Sequence, residues 1–212
     1  MFCGMFSPHD SQAVLDDLGD KVPLALLRAT ERARADYAAF RAAFPDWLPG
    51  MFERELADVI HPRIWAHLVA ELEGVEGVTL VAREPVREIG IAAGSGHGYV
   101  ARIKRHGDGD RISSYPTRTD IEFWAGGVMT FEGYERVNLA FGYRWDRERR
   151  EMGSPVISYR EGKDNVVWAV LVDAGTGALP LSYEPIEPDL PQIDLLDASR
   201  ETDERDHDER YG

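Results

Sequence analysis

Val78-Thr-Leu-Val-Ala-Arg83 and Val86-Arg-Glu-Ile-Gly-Ile91 mark the point at which apolar residues stop recurring every three or four positions and begin to alternate. A period of two is typical of a strand with one buried face, and the intervening Glu84-Pro85 favours a turn. The two segments therefore predict a pair of antiparallel strands, and they place the start of a sheet at Val78.

The chain before Val78 has helical periodicity instead. Residues 24–44 carry apolar side chains at helical spacing, and Pro45 predicts the end of this helix because proline cannot donate a backbone hydrogen bond. A second helix is predicted over 52–61 and a third from Pro62 to Gly74, since proline suits the first turn of a helix. We expect these three helices to pack on the sheet.

The chain after the two opening strands predicts four more strands and a short helix. The strands are predicted at Gly98–His106, 137–145, 155–160 and 166–173. Thr119-Asp-Ile-Glu122 has the spacing of a capping box and predicts a helix over 119–125. The predicted fold class is therefore α+β, with N-terminal helices packed on a mostly antiparallel sheet of about six strands.

Composition divides the chain into a domain and a tail. Of its 212 residues 43% are hydrophobic, which is enough to build a core, and a single domain is predicted over residues 1–181. Residues 182–212 hold eleven acidic and three basic side chains, so they contribute −8 to the total charge of −14. Almost nothing apolar follows Ala198, so we expect an acidic tail that is disordered after about that residue.

Several classes of protein are disfavoured by the sequence. It has no run of eighteen apolar residues and no basic segment followed by an apolar one near its N-terminus, so neither a membrane span nor a secretory signal is expected. Cys3 is the single cysteine, which excludes an intrachain disulfide and fits a cytoplasmic protein. Arginine outnumbers lysine 21 to 3, a bias typical of GC-rich prokaryotic or phage genes.

A basic segment inside this acidic chain is the first candidate for a binding site. Residues 97–118 hold five Lys/Arg and two Asp, a local charge of +3. Alternation along the predicted strand puts Arg102, Lys104 and His106 on one face, about 7 Å apart. That spacing is similar to the spacing of successive phosphates on a nucleic-acid strand.

Three further residues extend this candidate site: Arg111, Tyr115 and Arg118. The two arginines continue the row of positive charge beyond the Gly-Asp-Gly-Asp turn, and the tyrosine offers a ring for stacking. The expected ligand is anionic, either a nucleic acid or an acidic protein surface.

The same segment has a structural interpretation that needs no ligand. Lysine and arginine on a sheet face discourage edge pairing, and Glu88 or the acidic tail could neutralise them. The tail could also mask the basic face by mimicking a polyanion, although at physiological ionic strength charges act over only about 8 Å. Both interpretations remain open at the level of sequence.

A nuclease-like set of residues is the alternative from a different functional class. Asp146, Glu161 and Lys163 resemble the metal-dependent nucleases in which an aspartate and a Glu-x-Lys lie on adjacent strands and hold a divalent cation. Here Glu161-Gly-Lys-Asp-Asn165 has the composition of a hairpin turn, with Gly162 and Asn165 as turn residues. The alternative prediction is a metal-dependent phosphodiesterase or nuclease.

No cofactor or metal is predicted from motifs. The glycines of Gly94-Ser-Gly96-His-Gly98 precede a strand rather than a helix, so they do not form a phosphate-binding loop. No histidine belongs to a metal-ligand pattern. The sequence therefore favours a non-catalytic regulatory or accessory protein that binds a protein or a nucleic acid, with no membrane partner and an undetermined oligomeric state.

Overall fold

A computed structural model describes residues 7–83, 86–113, 117–125, 128–131, 134–173 and 179–182. Tyr115 and the acidic tail after Ser182 lie outside these ranges. The described helices are α1 (Ser11–Leu18), α2 (Lys21–Ala43), α3 (Glu53–Leu72) and α4 (Arg118–Ala125). The described strands are β1 (Val78–Arg83), β2 (Val86–Ala92), β3 (Gly98–His106), β4 (Val128–Phe131), β5 (Tyr134–Asp146), β6 (Glu151–Arg160), β7 (Val166–Leu171) and β8 (Leu179–Ser182). In the part of the chain so described, no helix has the length and apolar character needed to cross a membrane.

One sheet contains all of these strands, in the order β1-β2-β3-β5-β6-β7-β8, with β4 paired to β5. Every pairing is antiparallel except that of β3 with β5, which is parallel. The α+β class with a mostly antiparallel sheet is therefore confirmed. The six predicted strands are all present, and two short strands, β4 and β8, are added to them.

The main core lies between the sheet and the N-terminal helices. Alternate residues of β5 supply a buried row from the sheet side: Val137, Leu139, Phe141, Tyr143 and Trp145. The helix α2 meets this core with a row at four-residue spacing, Ala25, Ala29, Ala33 and Tyr37, all nearly inaccessible to solvent.

The helix α3 corrects one sequence-based prediction. Two helices were expected, separated at Pro62, but one continuous helix runs from Glu53 to Leu72 with Pro62 inside it. The proline removes one backbone hydrogen bond and costs about 3 kcal/mol. Leu56, Ile60, Ile64 and Leu68 continue at four-residue spacing across the proline and are all fully buried. At about 1.5–3 kcal/mol for each side chain, their burial outweighs the cost.

Two short helices depend on side-chain caps. The helix α1, which sequence periodicity did not predict, begins after Asp10, whose Oδ1 accepts hydrogen bonds from the backbone N–H groups of Gln12 and Ala13 at 3.0 and 3.2 Å. The helix α4 is present near its predicted place, but its cap is Thr117 rather than Thr119. Thr117 Oγ1 accepts from the Asp120 N–H at 3.2 Å.

The second face of the sheet carries a buried polar layer. Parallel strands need a crossover connection, so the chain between β3 and β5 must cross one face of the sheet. This crossover lies on the second face and includes α4. Asn138 donates to the Phe123 carbonyl at 2.8 Å, and Arg160 donates to the Asp110 carbonyl at 2.8 Å. These bonds join the sheet to the crossover at two separate points.

Gly142 allows β3 and β5 to approach each other, and this generates a stability prediction. A Cβ at position 142 would lie 1.7 Å from the Lys104 carbonyl oxygen, whereas a Cβ at Gly90 would make ordinary contacts at 3.6 Å. Gly142→Ala should lower the free energy of unfolding by about 3 kcal/mol or more, because a strand backbone must move. Gly90→Ala is the control and should cost about 1 kcal/mol or less. Equal midpoints for the two variants in urea unfolding would contradict the close approach of β3 to β5.

Candidate anion-binding cleft

A cleft opens where β2 separates from β3. The strand β3 pairs with β5 along its whole length, from Gly98 to His106. Its pairing with β2 covers only Gly98 to Ala101. Beyond Ala101, the end of the β1–β2 hairpin and β3 form the two walls of a cleft of about 750 Å³. A volume of this size lies within the usual range for ligand sites.

Residues from both sides of the sheet line the cleft. The helix α3 supplies Asp58, His61 and Pro62 from one side of the sheet, and α4 supplies Asp120 from the other. The strands and the segment after β3 supply the remaining lining residues: Ala82, Arg83, Val86, Arg87, Arg102, Ile103, Lys104 and Ser113. The cleft is therefore bounded by α3, β1, β2, β3 and the crossover.

Positive side chains predominate in this lining. Among the lining residues that the structure describes, four are cationic at neutral pH, namely Arg83, Arg87, Arg102 and Lys104, and two are carboxylates, Asp58 and Asp120. This local excess of positive charge contrasts with the net charge of −14 of the whole chain.

Arg102 is the most constrained of the four cations. Its Nε and Nη2 donate to Glu88 Oε1 at 3.0 and 2.7 Å, and its Nη1 donates to Asp120 Oδ1 at 3.3 Å. The guanidinium carbon lies 3.8 Å from the centre of the Phe123 ring, and 9% of the residue is exposed. Removal of one partner from such a buried ion pair costs about 3–5 kcal/mol, so Arg102 supports the fold as well as the charge of the cleft.

Lys104 shares the carboxylate of Asp120 with Arg102. Its Nζ lies 3.3 Å from Asp120 Oδ1, and Asp120 Oδ2 accepts from Trp124 Nε1 at 3.2 Å. Burial lowers the pKa of Lys104, and the like charges of Arg102 and Arg160 lower it further, while Asp120 acts in the opposite direction. One carboxylate thus faces two cations on this wall.

Arg83 and Arg87 lie on the opposite wall, at the end of the β1–β2 hairpin. Both side chains are exposed, and none of the ion pairs formed within the described residues involves them. Within the described residues, their charges are therefore available to a ligand without the loss of an ion pair.

His61 adds a neutral polar group to the cleft. Burial lowers the pKa of His61 to about 4, and the positive charges of Lys104, Arg105 and Arg87 contribute to this shift. Its ring packs edge-on against Tyr143, with 5.9 Å between ring centres. The imidazole is neutral at pH 7, so it does not add to the positive charge.

The structure brings together two of the predicted site residues, Arg102 and Lys104. His106 is on the same face of β3 but is fully buried, and its Nε2 lies 3.0 Å from Ser158 Oγ. Arg111 is exposed and is not among the lining residues of the cleft. Arg118 is 92% exposed and pairs with Glu122 at 2.7 Å on the outer surface of α4. The predicted contribution of Tyr115 lies outside the described residues.

Arg83 and Arg87 are the two cationic residues of the cleft lining that the sequence did not single out. The hairpin of which they form the end was predicted, and its antiparallel register places Arg87 opposite Ala82 and Arg83 opposite Val86. This pairing would have predicted two arginines at one end of the hairpin, on opposite faces of it, since successive residues of a strand alternate between faces. The position of β3 across a gap from them follows from the tertiary structure alone.

The nuclease-like residues do not converge. Asp146 pairs with Glu151 at one end of the β5–β6 hairpin, whereas Glu161 and Lys163 follow Arg160 at the other end of β6. Ten residues of extended strand separate Glu151 from Glu161, a distance of about 30 Å. Within the described ranges, no three His, Cys, Asp or Glu side chains are grouped so that they could hold a metal ion. The geometry therefore gives no support to the phosphodiesterase alternative.

Two serine–histidine contacts also lack the geometry of a nucleophilic site. Ser158, the partner of His106, has no exposed surface. Ser95 Oγ and Asp17 Oδ2 both contact the same nitrogen of His97, Nδ1, at 2.9 and 3.1 Å. A catalytic triad requires the nucleophile and the acid on opposite ring nitrogens, so both contacts are structural.

A second unusual surface is the exposed aromatic cluster between α2 and α3. Phe44 and Trp47 stack with 4.6 Å between ring centres and are 40% and 61% exposed. Phe52 is 76% exposed. Large exposed aromatics are candidates for partner contact, but this cluster has no accompanying charge pattern that would define a ligand.

Comparison with known proteins adds no relative: no protein-family model, curated protein or solved structure matches this chain. The geometry and charge of the cleft are therefore the basis for assigning a function to this chain.

The buried histidine of β3 generates a pH prediction. Burial lowers the pKa of His106 to about 3, and the charge of Arg160 adds to this shift. Below about pH 6.5 the unfolded chain takes up a proton at His106 that the folded protein does not, so the free energy of unfolding should fall as the pH decreases. The expected loss from this group is about 1.4 kcal/mol per pH unit between pH 6.5 and 3, and none above pH 6.5.

Urea unfolding of the wild type and His106→Gln at pH 6.5 and 5.0 measures this effect. The variant has no imidazole at this position, so between these values it should lose about 2 kcal/mol less than the wild type. Equal losses for the two proteins would mean that His106 ionises freely in the folded state and is not buried.

Proposed function

We propose that this protein is a non-catalytic binding protein that recognises an anionic partner macromolecule through the cleft between the β1–β2 hairpin and β3. The observation that carries the proposal is the excess of cations among the described residues that line this cleft, four against two carboxylates. The expected role is regulatory or accessory, in which the protein acts by occupying a surface of its partner.

The arrangement of the four cations supports this proposal. Arg102 and Lys104 are held on one wall by Asp120 and, for Arg102, by Glu88, so their positions are fixed before a ligand arrives. Arg83 and Arg87 are exposed on the other wall. A preorganised wall opposite accessible charges reduces the ordering cost of binding.

The screening of distant charges by salt explains how a protein with a net negative charge can bind an anion. At physiological ionic strength charges act over about 8 Å, so a ligand inside the cleft interacts mainly with the lining residues. The net charge of −14 opposes approach from farther away. Association should therefore be slow compared with electrostatically steered complexes, and affinity should depend on close contacts.

A charge-matched pair of double variants tests the proposal. Arg83→Ala/Arg87→Ala removes both accessible cations of the cleft without breaking an ion pair of the described residues. Binding of a fluorescein-labelled decaglutamate peptide at low ionic strength should weaken about 5- to 30-fold, because each contact contributes roughly 0.5–1 kcal/mol. Fluorescence anisotropy gives the Kd values directly.

The control is Arg136→Ala/Arg147→Ala, which changes the net charge equally at two exposed positions outside the cleft lining and likewise breaks no ion pair of the described residues. It should leave the Kd within about twofold of the wild type. Asp58→Asn removes a carboxylate from the cleft and should strengthen binding. Equal weakening by both double variants would show that the peptide responds to net charge alone, and the cleft would not be its site.

A further inference from the structure

The cleft combines its positive charge with apolar side chains. Pro62, Ala82, Val86 and Ile103 all line it. Pro62 and Ala82 are exposed, and Val86 and Ile103 are partly exposed. A ligand that places only charged groups in the cleft would leave this apolar surface in contact with water, whereas one with aliphatic side chains would cover it.

A nucleic acid satisfies this lining poorly. Proteins that bind single strands stack bases on aromatic rings, which contributes about 1–3 kcal/mol per base. Among the described residues that line the cleft, the His61 imidazole is the sole aromatic ring. Asp58 and Asp120 would also repel a chain that carries one phosphate per nucleotide.

An extended acidic peptide matches the same features. Side chains two apart on a strand lie about 7 Å from each other on one side, which is the separation of Arg102 and Lys104 along β3. The intervening side chains point to the other side. A peptide whose carboxylates alternate with aliphatic residues can therefore present acidic groups to Arg102 and Lys104 on one side and apolar groups to Ala82 and Ile103 on the other.

We infer that the partner macromolecule is a protein, which inserts into the cleft an extended segment of alternating acidic and aliphatic residues. This inference rests on the proposed function, because it specifies the ligand of the same cleft. The carboxylates of Asp58 and Asp120 are compatible with such a segment, since they can accept hydrogen bonds from its backbone N–H groups.

Three labelled probes of similar length test the inference on the full chain. They are a peptide of four Asp-Leu repeats, a peptide of four Asp-Ser repeats with the same charge, and an octathymidylate. The Asp-Leu peptide should bind at least about tenfold more tightly than the Asp-Ser peptide, because leucine covers apolar lining that serine cannot. The octathymidylate should bind more weakly than the Asp-Leu peptide.

A variant on the apolar wall shows whether the preference arises in the cleft. Ile103→Thr keeps the branched Cβ but replaces an ethyl group with a hydroxyl on the face that the leucines would meet, so it should reduce the preference for Asp-Leu over Asp-Ser. It should leave the Kd of the Asp-Ser peptide within about twofold of the wild-type value. An unchanged preference in this variant would place the aliphatic contacts elsewhere and overturn the inference.

The remaining outcomes separate the inference from the proposed function. Equal affinity for the two peptides, or tighter binding of the octathymidylate, would overturn the inference and leave an anion-binding cleft in place. Failure of all three probes to bind would overturn the proposed function as well.

Discussion

The parallel pairing of β3 with β5 is the constraint on which the rest of the structure depends. Parallel neighbours cannot be joined by a hairpin, so the chain between them must cross a face of the sheet, and this crossover carries α4 and Asp120 over Arg102 and Lys104. The close approach at Gly142 lets β5 hold β3 along its whole length. The strand β3 therefore stays in place where β2 separates from it, and the cleft results.

The cleft is built from charges that also stabilise the fold. Arg102 is nearly buried, and its partners Glu88 and Asp120 belong to β2 and α4, so one side chain links three elements. A buried charge with two acidic partners is costly to disrupt, which fixes the position of this wall. Arg83 and Arg87 form no ion pair with the other described residues. One wall of the cleft, with Arg102 and Lys104, is fixed by ion pairs, and the other, with Arg83 and Arg87, is exposed. A ligand could therefore bind without rearrangement of the core.

The sequence predicted the features of the fold and of the cleft that depend on local periodicity. The change of period at Val78 predicted the α+β class, and alternation placed Arg102 and Lys104 on one face of β3. The interpretation in which Glu88 neutralises the basic strand agrees with the observed ion pair of Glu88 with Arg102. Sequence did not predict the parallel crossover or the short β2–β3 register, because both depend on long-range packing. The sequence also predicted two helices separated at Pro62 where the structure has one. The local preference of proline for the start of a helix is weaker than the stabilisation from burying four aliphatic side chains on the adjoining turns of α3.

Amide chemical-shift mapping tests the central claim, that the cleft is the anion-binding surface, most directly. With ¹⁵N-labelled protein and an unlabelled hexaglutamate peptide at low ionic strength, the largest shifts should fall on the amides of Arg83, Arg87 and residues 102–104. Adjacent residues of α3, around His61, should shift less. Largest shifts in the exposed aromatic cluster around Trp47 and Phe52, or small shifts spread evenly over the basic residues of the surface, would contradict the claim.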